Sequence, residues 1–412
     1  MNIKNYIISQ FPFLLASLVI LGMFTNDTQG VLNISAILLF LYTVYTIIKN
    51  KINIKDDLIQ LVRGRKVFFL FSLWCILCAI FFTYSQFTLE ALKEFFNDWR
   101  YLIIITLFLI AFKNNESKSI KTISYALIAT LAFTLFISPI LKQFKDSDLP
   151  LFLQLRYGFA HYTTLLFPFT FAALFIFKNN LLKVAMFILS IFAFCFLLYT
   201  GSRGGVLTVF IETLIILFLF SQSIKKFTLY IVIFAIASLS LTTIAYTTIP
   251  QVKNKINQTL DAKNISSGRD KIVMTRFPIF MNQTKNILFG VGYGSVSYNQ
   301  YLNDNNAERF PGGGKFSQRK NEYVHNNDDP FFLNILYNVG LGGLLLFIIA
   351  YVINLKDLMR NIKSQKNILN VGIFASSIGY FSIYCLFEFI FLDIFFLYNI
   401  FVAILINQKR IH

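Results

Sequence analysis

The sequence predicts an all-α membrane protein that crosses the bilayer many times. Hydrophobic residues make up 56% of its 412 residues and charged residues only 14%, whereas soluble domains carry about 25% charged residues. Apolar runs close to the roughly 20 residues needed to cross a bilayer recur along the chain. The Lys and Arg residues fall mainly in the short segments between these runs, where they orient membrane proteins. The net charge of +17 therefore reflects membrane topology and does not indicate a nucleic-acid partner.

We predict about twelve transmembrane helices. The first run has the length of a secretory signal. It lacks a small-residue cleavage site and a second apolar run follows directly, so we interpret it as helix 1. Nine spans precede a long polar segment, and three follow it. The predicted spans cover about residues 7–24, 31–48, 67–84, 95–112, 122–141, 162–177, 184–200, 204–220, 227–249, 331–353, 368–386 and 389–406.

Charge asymmetry predicts the orientation of these helices. With a cytoplasmic N-terminus, 20 of the 37 Lys and Arg residues fall on cytoplasmic segments and six on the short outer segments. The other 11 lie in the long polar segment, and long segments cross largely regardless of charge. Both termini are therefore predicted in the cytoplasm. The chain divides into helices 1–9 (residues 1–249), one large outer loop (residues 250–330) and helices 10–12 (residues 331–412).

The outer loop is the only long polar segment, so it is where polar groups for chemistry can gather. It has too few apolar residues for a separate domain and is predicted to lie against the membrane. Residues 269–285 carry apolar side chains near one helical face, which is typical of a short interfacial helix. Pro278 is predicted to bend or break that helix.

Two arginines at the outer face are candidate anion ligands. Arg203 lies in the turn Thr200–Gly205 between spans 7 and 8. This turn is predicted on the outer side of the membrane, where basic residues are disfavoured. Arg203 either snorkels to a lipid headgroup or binds an anion beside glycines, since Arg suits bidentate phosphate contacts. Arg269 follows a capping pattern that starts at Ser267, which places it in a first helical turn where backbone N–H groups favour an anion. An exposed position without a ligand is the alternative for Arg269.

His325 is the candidate general base. It lies just before helix 10, on the same side of the membrane as Arg203. A neutral imidazole can accept a proton near pH 7. Asp328 and Asp329 could complete a metal site with His325, but one histidine and two adjacent acids make a poor ligand set. We therefore predict no metal and no cofactor.

Other polar residues at or near the outer face are secondary candidates. Glu388 and the secondary candidate Asp393 lie near the outer turn between spans 11 and 12. Glu212 lies within span 8, where a carboxylate is costly and often functional. The roles of these two acids and of Asp393 stay open. The secondary candidates are Arg156, His161, Arg276 and Asp393.

These residues together suggest a class of substrate. Two fixed positive charges suit a pyrophosphate leaving group, and a histidine suits removal of the proton from a sugar hydroxyl. A lipid-linked pyrophosphate donor would reach the site from the outer leaflet and would require no nucleotide.

Four segments, in order and spacing, resemble the O-antigen ligase and O-antigen polymerase superfamily: Ser202–Gly204, Gly268–Arg269, Phe289–Gly294 and His325–Asn326. The resemblance covers about residues 195–350, with a fainter similarity at residues 156–158. Family members usually continue after the His-Asn pair with an aromatic or small residue and a leucine-rich stretch. Here residues 327–330 intervene, a departure that bears on acceptor contacts more than on the base.

The resemblance implies a GT-C-like glycosyltransferase of the bacterial inner membrane with its site facing the periplasm. The donor would be a glycan on undecaprenyl diphosphate. Arg203 and Arg269 would hold the pyrophosphate, and His325 would activate the acceptor hydroxyl for an inverting, metal-independent transfer. A ligase of this family uses the lipid A-core as acceptor, and a polymerase uses another lipid-linked repeat.

The ligase is the favoured alternative. The modest chain length, the single dominant loop and its 11 basic against 7 acidic residues suit an anionic lipopolysaccharide acceptor. A polymerase is the main alternative, and a protein-O-glycosylating relative is a third. A flippase or transporter for the same lipid should instead carry charges near the membrane midplane and have two related halves.

Overall fold

The fold is that of a helical bundle, seen in a computed structural model. The structure describes residues 3–25, 28–84, 87–145, 158–260, 269–307, 315–317, 322–324 and 330–407. Within these residues the secondary structure is helical except for one antiparallel pair of three-residue strands. The predicted all-α architecture is confirmed.

The first third of the chain forms seven helices and one short 3₁₀ turn at Lys113–Asn115. Helices α3 and α4 meet at 93°, and Arg65 lies at their junction. Its Nη1 donates to Asn354 Oδ1 and Asp357 Oδ2, each at 2.9 Å, which ties the bend to a late helix. The helices are α1 (Ile3–Met23), α2 (Gln29–Lys49), α3 (Ile54–Gly64), α4 (Lys66–Phe81), α5 (Thr88–Ala111), α6 (Glu116–Phe136) and α7 (Ser138–Lys145).

The middle of the chain forms four long helices and four shorter ones, followed by the strand pair. The interfacial helix predicted for residues 269–285 ends at Met281, three residues after Pro278, and a second short helix follows. The elements are α8 (Gly158–Ile176), α9 (Asn180–Thr200), α10 (Arg203–Phe220), α11 (Ile224–Thr248), α12 (Pro250–Leu260), α13 (Arg269–Met281), α14 (Thr284–Phe289), α15 (Ser295–Asp304), β1 (Lys315–Ser317) and β2 (Glu322–Val324).

The last part of the chain contains two interrupted helices. α16 (Phe331–Ile362) has a kink at Gly340, whose backbone is not helical. α17 (Ile368–Ile378) continues into one π-helical stretch, Gly379–Tyr384, and then into α18 (Cys385–Phe387). π-Helical turns inside helices occur frequently at functional sites. The chain ends its described part with α19 (Leu392–Asn407).

Eight helices of the described chain are long and apolar enough to cross a membrane, or nine if α3 and α4 count as one bent span. α1 and α19 contain shorter apolar helices, Gln10–Met23 and Leu392–Leu405. The count of twelve therefore stays a prediction. α5 is not among the eight. It begins at Thr88, ahead of the predicted span, and its first half contains Glu90, Glu94 and Asp98.

Burial separates the centre of the bundle from its rim. In the most apolar 18-residue stretch of α8, 72% of the residues are buried, and in that of α17–α18 78% are buried. In the corresponding stretch of α11 no residue is buried. A helix that is apolar all round and still exposed is expected to face lipid. α8 and α17 thus form the centre, and α11 lies at the periphery.

Candidate functional site

The tight turn between α9 and α10 carries Arg203. Gly201 ends α9 in the left-handed conformation (φ 65°), which favours glycine. The Ser202 hydroxyl then accepts a hydrogen bond from the Gly205 N–H at 3.2 Å and caps α10. Arg203 is therefore the first residue of α10, where the backbone N–H groups of a helix favour an anion.

Helix α12 brings a second cation to this turn. Arg203 Nη1 donates to Thr259 Oγ1 at 3.1 Å. The aliphatic stem of Lys255 lies against Gly201, because a Cβ at that glycine would be 3.1 Å from Lys255 Cγ. We call Gly201–Arg203 together with Lys255 and Thr259 the basic turn. Sequence reasoning missed Lys255, although its place just after helix 9, in a loop with a basic excess, was an available signal.

A carboxylate approaches the same turn from the end of α18. A Cβ at Gly204 would lie 3.6 Å from Glu388 Cγ and 3.8 Å from Glu388 Oε1. The Glu388 N–H donates to the Tyr384 carbonyl at 2.9 Å, so the end of α18 holds this residue in position. The turn after the predicted span 11 therefore adjoins the first turn of α10.

His161 is buried in the bundle near this end. Only 3% of its surface is exposed, and the Tyr380 hydroxyl lies 2.5 Å from its Nε2. Its ring also packs edge-on against Tyr162 and Phe391. His161 thus links α8 to the π-helical stretch and is enclosed by aromatic rings. A group enclosed in this way can position its neighbours but is not open to a substrate.

Arg276 is also buried, with 2% of its surface exposed. Its Nη1 donates to the Tyr298 hydroxyl at 3.0 Å, and the Tyr337 hydroxyl donates to its backbone carbonyl. Phe280 and Tyr301 pack in the same cluster. Arg276 thus joins α13 to α15 and α16, and its contacts indicate a positioning role.

The glycine-rich segment Phe289–Gly294 crosses the kink of α16. Val291 N–H donates to the Tyr337 carbonyl at 2.7 Å, and the Val291 carbonyl accepts from Tyr84 N–H at 2.6 Å. Gly294 N–H donates to Asn338 Oδ1 at 2.5 Å. These bonds fix the backbone of the segment against α16, so the segment forms a wall of the cavity beside it.

That cavity has a volume of about 210 Å³ and lies between α5, α15 and the beginnings of α16 and α19. We call it the acidic cavity, because Glu94, Asp98 and Asp393 line it. The Tyr293 hydroxyl donates to Asp98 Oδ2. Burial and the Asp98 charge raise the pKa of the Tyr293 phenol well above its usual range, so it stays protonated and remains a donor. Of the predicted secondary residues, the structure places Asp393 in this cavity.

Several predicted residues lie partly or wholly outside the described residues. Arg156 and His325 are not described. Arg269 is the first described residue of α13; Ser267 and Gly268 and the Arg269 side chain are not described, so the predicted helix start stays a prediction. The predicted convergence of Arg203, Arg269 and His325 therefore stays a prediction.

Glu212, whose role the sequence left open, is fully buried in α10. A Cβ at Gly379 would lie 2.5 Å from its Oε1. The carboxylate thus packs against the start of the π-helical stretch that carries Tyr380, the partner of His161. It lies inside the bundle and not at the basic turn.

Among the described residues, no group of three or more His, Cys, Asp or Glu side chains is arranged to hold a metal ion. Residues 325–329 fall outside that description, so the predicted absence of a metal at His325 stays a prediction.

Residues 185–348 match the family model described as O-antigen ligase. The matched range runs from α9 to the first half of α16 and includes Arg203, Arg269 and His325. No protein of curated function matches the chain at a significant level. Residues 185–348, which include the basic turn, are thus similar to the O-antigen ligase family, and this match supports the predicted resemblance to the O-antigen ligase and polymerase superfamily.

Proposed function

We propose that the protein is an O-antigen ligase. It transfers a glycan from undecaprenyl diphosphate to the lipid A-core at the periplasmic face of the bacterial inner membrane. One observation carries the proposal: Arg203 is the first residue of α10, and Arg269 is the first described residue of α13. Both lie in the range that matches the O-antigen ligase family.

This arrangement suits a pyrophosphate for two separate reasons. A helix N-terminus presents unpaired N–H groups and a positive potential, and it commonly binds phosphate. A guanidinium at the same position adds charge-assisted hydrogen bonds in a planar, bidentate geometry. At the basic turn, Lys255 contributes a further positive charge. The site is therefore suited to stabilise a diphosphate as its negative charge increases during bond breaking.

In the proposed reaction His325 removes the proton from the acceptor hydroxyl. The hydroxyl oxygen attacks the anomeric carbon from the side opposite the diphosphate. The bond between that carbon and the diphosphate oxygen breaks, and the configuration inverts. Undecaprenyl diphosphate leaves with the bonding electron pair, while Arg203 and Arg269 hold its charge. The step needs no metal ion and no cofactor, because the leaving group is already activated.

The secondary candidates take supporting roles in this proposal. His161 and Arg276 are buried and bonded to Tyr380 and Tyr298, so they position the elements around the site. Asp393 lines the acidic cavity. Arg156 remains a candidate for the donor diphosphate, since it precedes α8 in the chain.

The polymerase is the second candidate function. The family match supports lipid-linked glycan substrates for both branches. The excess of 11 basic over 7 acidic residues in residues 250–330 favours the ligase, because the lipid A-core is anionic. A flippase for the same lipid is the third candidate and would not depend on a general base.

Complementation in two hosts tests the proposal. One host lacks its O-antigen ligase and the other its O-antigen polymerase, and lipopolysaccharide is resolved on gels. We expect a ladder only in the first host, and its loss in His325→Ala and Arg203→Ala at equal protein level. A ladder only in the second host would show a polymerase. Full activity of both variants would refute the enzymatic proposal and favour transport.

The proposed orientation has its own test. A cysteine is introduced at the exposed Lys253 of α12 or at the exposed Lys356 of α16, and intact cells receive a membrane-impermeant maleimide. We expect labelling of Lys253→Cys in intact cells and of Lys356→Cys only after the membrane is opened. The unchanged chain, with Cys75, Cys78, Cys195 and Cys385, gives the background. The reverse pattern would place the basic turn in the cytoplasm.

A further inference from the structure

The acidic cavity is large enough for one six-membered ring. Its volume of about 210 Å³ exceeds the roughly 150 Å³ of an engineered cavity that accommodates benzene. Four separate parts of the chain form its walls: α5, the segment leading into α15, the first turns of α16 and the loop before α19. It is thus a small, partly open cavity built from packed elements.

Three carboxylates supply hydrogen-bond acceptors to this space. Glu94 accepts from the Ser295 N–H at 2.8 Å and from the Ser295 hydroxyl at 3.2 Å. Asp98 accepts from the Tyr293 hydroxyl. Asp393 Oδ1 accepts from the Ile394 N–H at 2.8 Å. A carboxylate has about four acceptor positions, so each is held in place and keeps capacity for a ligand.

One buried amide supplies a donor. Only 5% of the Asn334 surface is exposed, and its side chain lines the cavity. Asn334 Oδ1 accepts from Asn338 Nδ2 at 3.2 Å, whereas Asn334 Nδ2 donates to no group among the described residues. Because Asn334 lines the cavity, this amide can donate to an acceptor of a ligand bound there. This observation is independent of the carboxylates.

Aromatic rings complete the walls. Phe389 and Phe391 line the cavity, and their centroids lie 4.9 Å apart in an edge-on arrangement. Phe391 is 40% exposed. Tyr298 adds a further ring. Small-molecule sites combine apolar or aromatic walls with a few placed polar groups in this way.

The chemistry of these walls selects the ligand. A hydroxyl group donates one hydrogen bond and accepts others, so it can donate to Glu94 or Asp98 and accept from Asn334. A carboxylate or phosphate has no proton to donate and would meet like charges. A ring that carries several hydroxyls and has apolar faces can form hydrogen bonds with the carboxylates and Asn334 and can pack against the aromatic rings. A sugar ring without an acidic group has these properties.

The cavity and the basic turn share one segment of chain. Glu388 adjoins Gly204 at the start of α10, and Phe389, Phe391 and Asp393 line the cavity. Five residue steps from Glu388 to Asp393 span at most about 18 Å at roughly 3.6 Å per residue. The two sites are therefore close enough for one glycan substrate to occupy both.

We propose that the acidic cavity is a subsite for one sugar ring of the carbohydrate substrate. It binds the ring through hydroxyl groups and rejects rings that carry a carboxylate or phosphate. The identification of the ring as part of a substrate rests on the proposed function, whereas the binding and its selectivity do not.

Ligand-observed NMR on the purified full-length protein in lipid nanodiscs tests the subsite. The probes are the methyl glycosides of glucose, galactose and N-acetylglucosamine, and methyl glucuronide as the acidic counterpart. We expect saturation transfer to at least one neutral glycoside, at least fivefold above that to methyl glucuronide. Equal transfer to the glucuronide, or none to any neutral glycoside, would overturn the proposal.

Two isosteric variants sharpen this test. Asn334→Asp replaces the donor with an acceptor, and we expect it to reduce transfer to the neutral glycoside at least fivefold. Glu94→Gln removes one carboxylate and keeps an acceptor for Ser295, and we expect it to raise the signal of methyl glucuronide relative to the neutral glycoside. A misfolded protein would not gain that signal. Asp304→Asn is the matched control, since Asp304 is exposed at the end of α15 and bonds Tyr84 outside the cavity. Unchanged selectivity in Glu94→Gln would count against the subsite.

The outcomes separate this proposal from the proposed function. Loss of ring binding in Asn334→Asp, with no ladder in either complementation host, would support the proposed subsite and contradict the proposed ligase function. A ladder in the ligase-deficient host together with unselective ring binding would support the ligase function and contradict the subsite.

Discussion

The basic turn and the acidic cavity lie at the same end of the bundle and differ in charge, exposure and construction. The basic turn comes from three consecutive residues, Gly201–Arg203, and from two residues of α12, the helix that follows α11. The cavity joins groups that are far apart in the chain, such as Asp98 and Tyr293, which are 195 positions apart. The turn is half exposed, whereas Asn334 and Asn338 in the cavity are each 95% buried, with 5% of their surface exposed.

This difference in charge can orient a substrate that has an anionic diphosphate at one end and a neutral sugar at the other. A diphosphate is attracted to the positive end of α10 and repelled by the carboxylates of the cavity. A sugar hydroxyl gains nothing from Arg203 that water does not offer, but it can replace water among the fixed acceptors of the cavity. Opposite charges separated by the segment Glu388–Asp393 would therefore favour one direction of binding over the reverse.

The largest expected effect concerns the basic turn. Arg203→Ala should lower the rate of glycan transfer about 100-fold, because removing one fixed donor to a developing negative charge costs about 2.7 kcal/mol. Arg203→Lys should recover only part of the rate, since it keeps the charge and loses the bidentate geometry. The rate is measured in membranes with a labelled lipid-linked donor at equal protein level.

Lys253→Ala is the matched control for that measurement. Lys253 is exposed on α12, two positions before Lys255, so its removal changes the net charge equally without touching the turn. We expect its transfer rate to stay within about twofold of the unmodified protein. Equal losses in Arg203→Ala and Lys253→Ala would show that only the general charge of the surface matters.

The two regions also differ in how far the sequence predicts them. Arg203 and its glycines are neighbours in the chain and stand out against the charge bias of membrane proteins, so the turn was predicted at the correct residues. The helix start at Arg269 was predicted from a local capping pattern for the same reason. Such signals are contained within a few residues, and local geometry follows from them.

The cavity was predicted only through Asp393. Glu94 and Asp98 fall in the polar first half of α5, where the apolar pattern marks only the end of a span. Nothing near them in the chain shows that Tyr293 and Ser295 fold back onto them. Lys255 had a signal in its place within a basic loop, but its contact with Gly201 depends on the packing of α12. Contacts between distant segments require the packed fold and leave no local pattern.

A smaller effect is expected from a glycine in the cavity wall. Gly294 has φ 98° and ψ −178°, and a Cβ there would lie 2.2 Å from Glu94 Oε2. Gly294→Ala should destabilise the protein by about 2 kcal/mol, through a backbone region nearly confined to glycine and displacement of the Glu94 carboxylate. It should also abolish ring binding. The apparent melting temperature in detergent measures the loss, and Gly30→Ala, where a Cβ meets nothing within 4 Å, is the control.

The smallest effect is expected at Gly201, where the same substitution meets a different environment. Its φ of 65° costs an alanine about 1 kcal/mol, but the nearest side-chain atom, at 3.1 Å, is the Cγ of the flexible Lys255 stem. Lys255 can move away, whereas Glu94 is held by two bonds from Ser295. The melting temperature of Gly201→Ala should therefore fall by about half as much as that of Gly294→Ala, with ring binding retained. Equal losses at both glycines would mean that the basic turn is packed as rigidly as the cavity wall, and that Lys255 is held as firmly as Glu94.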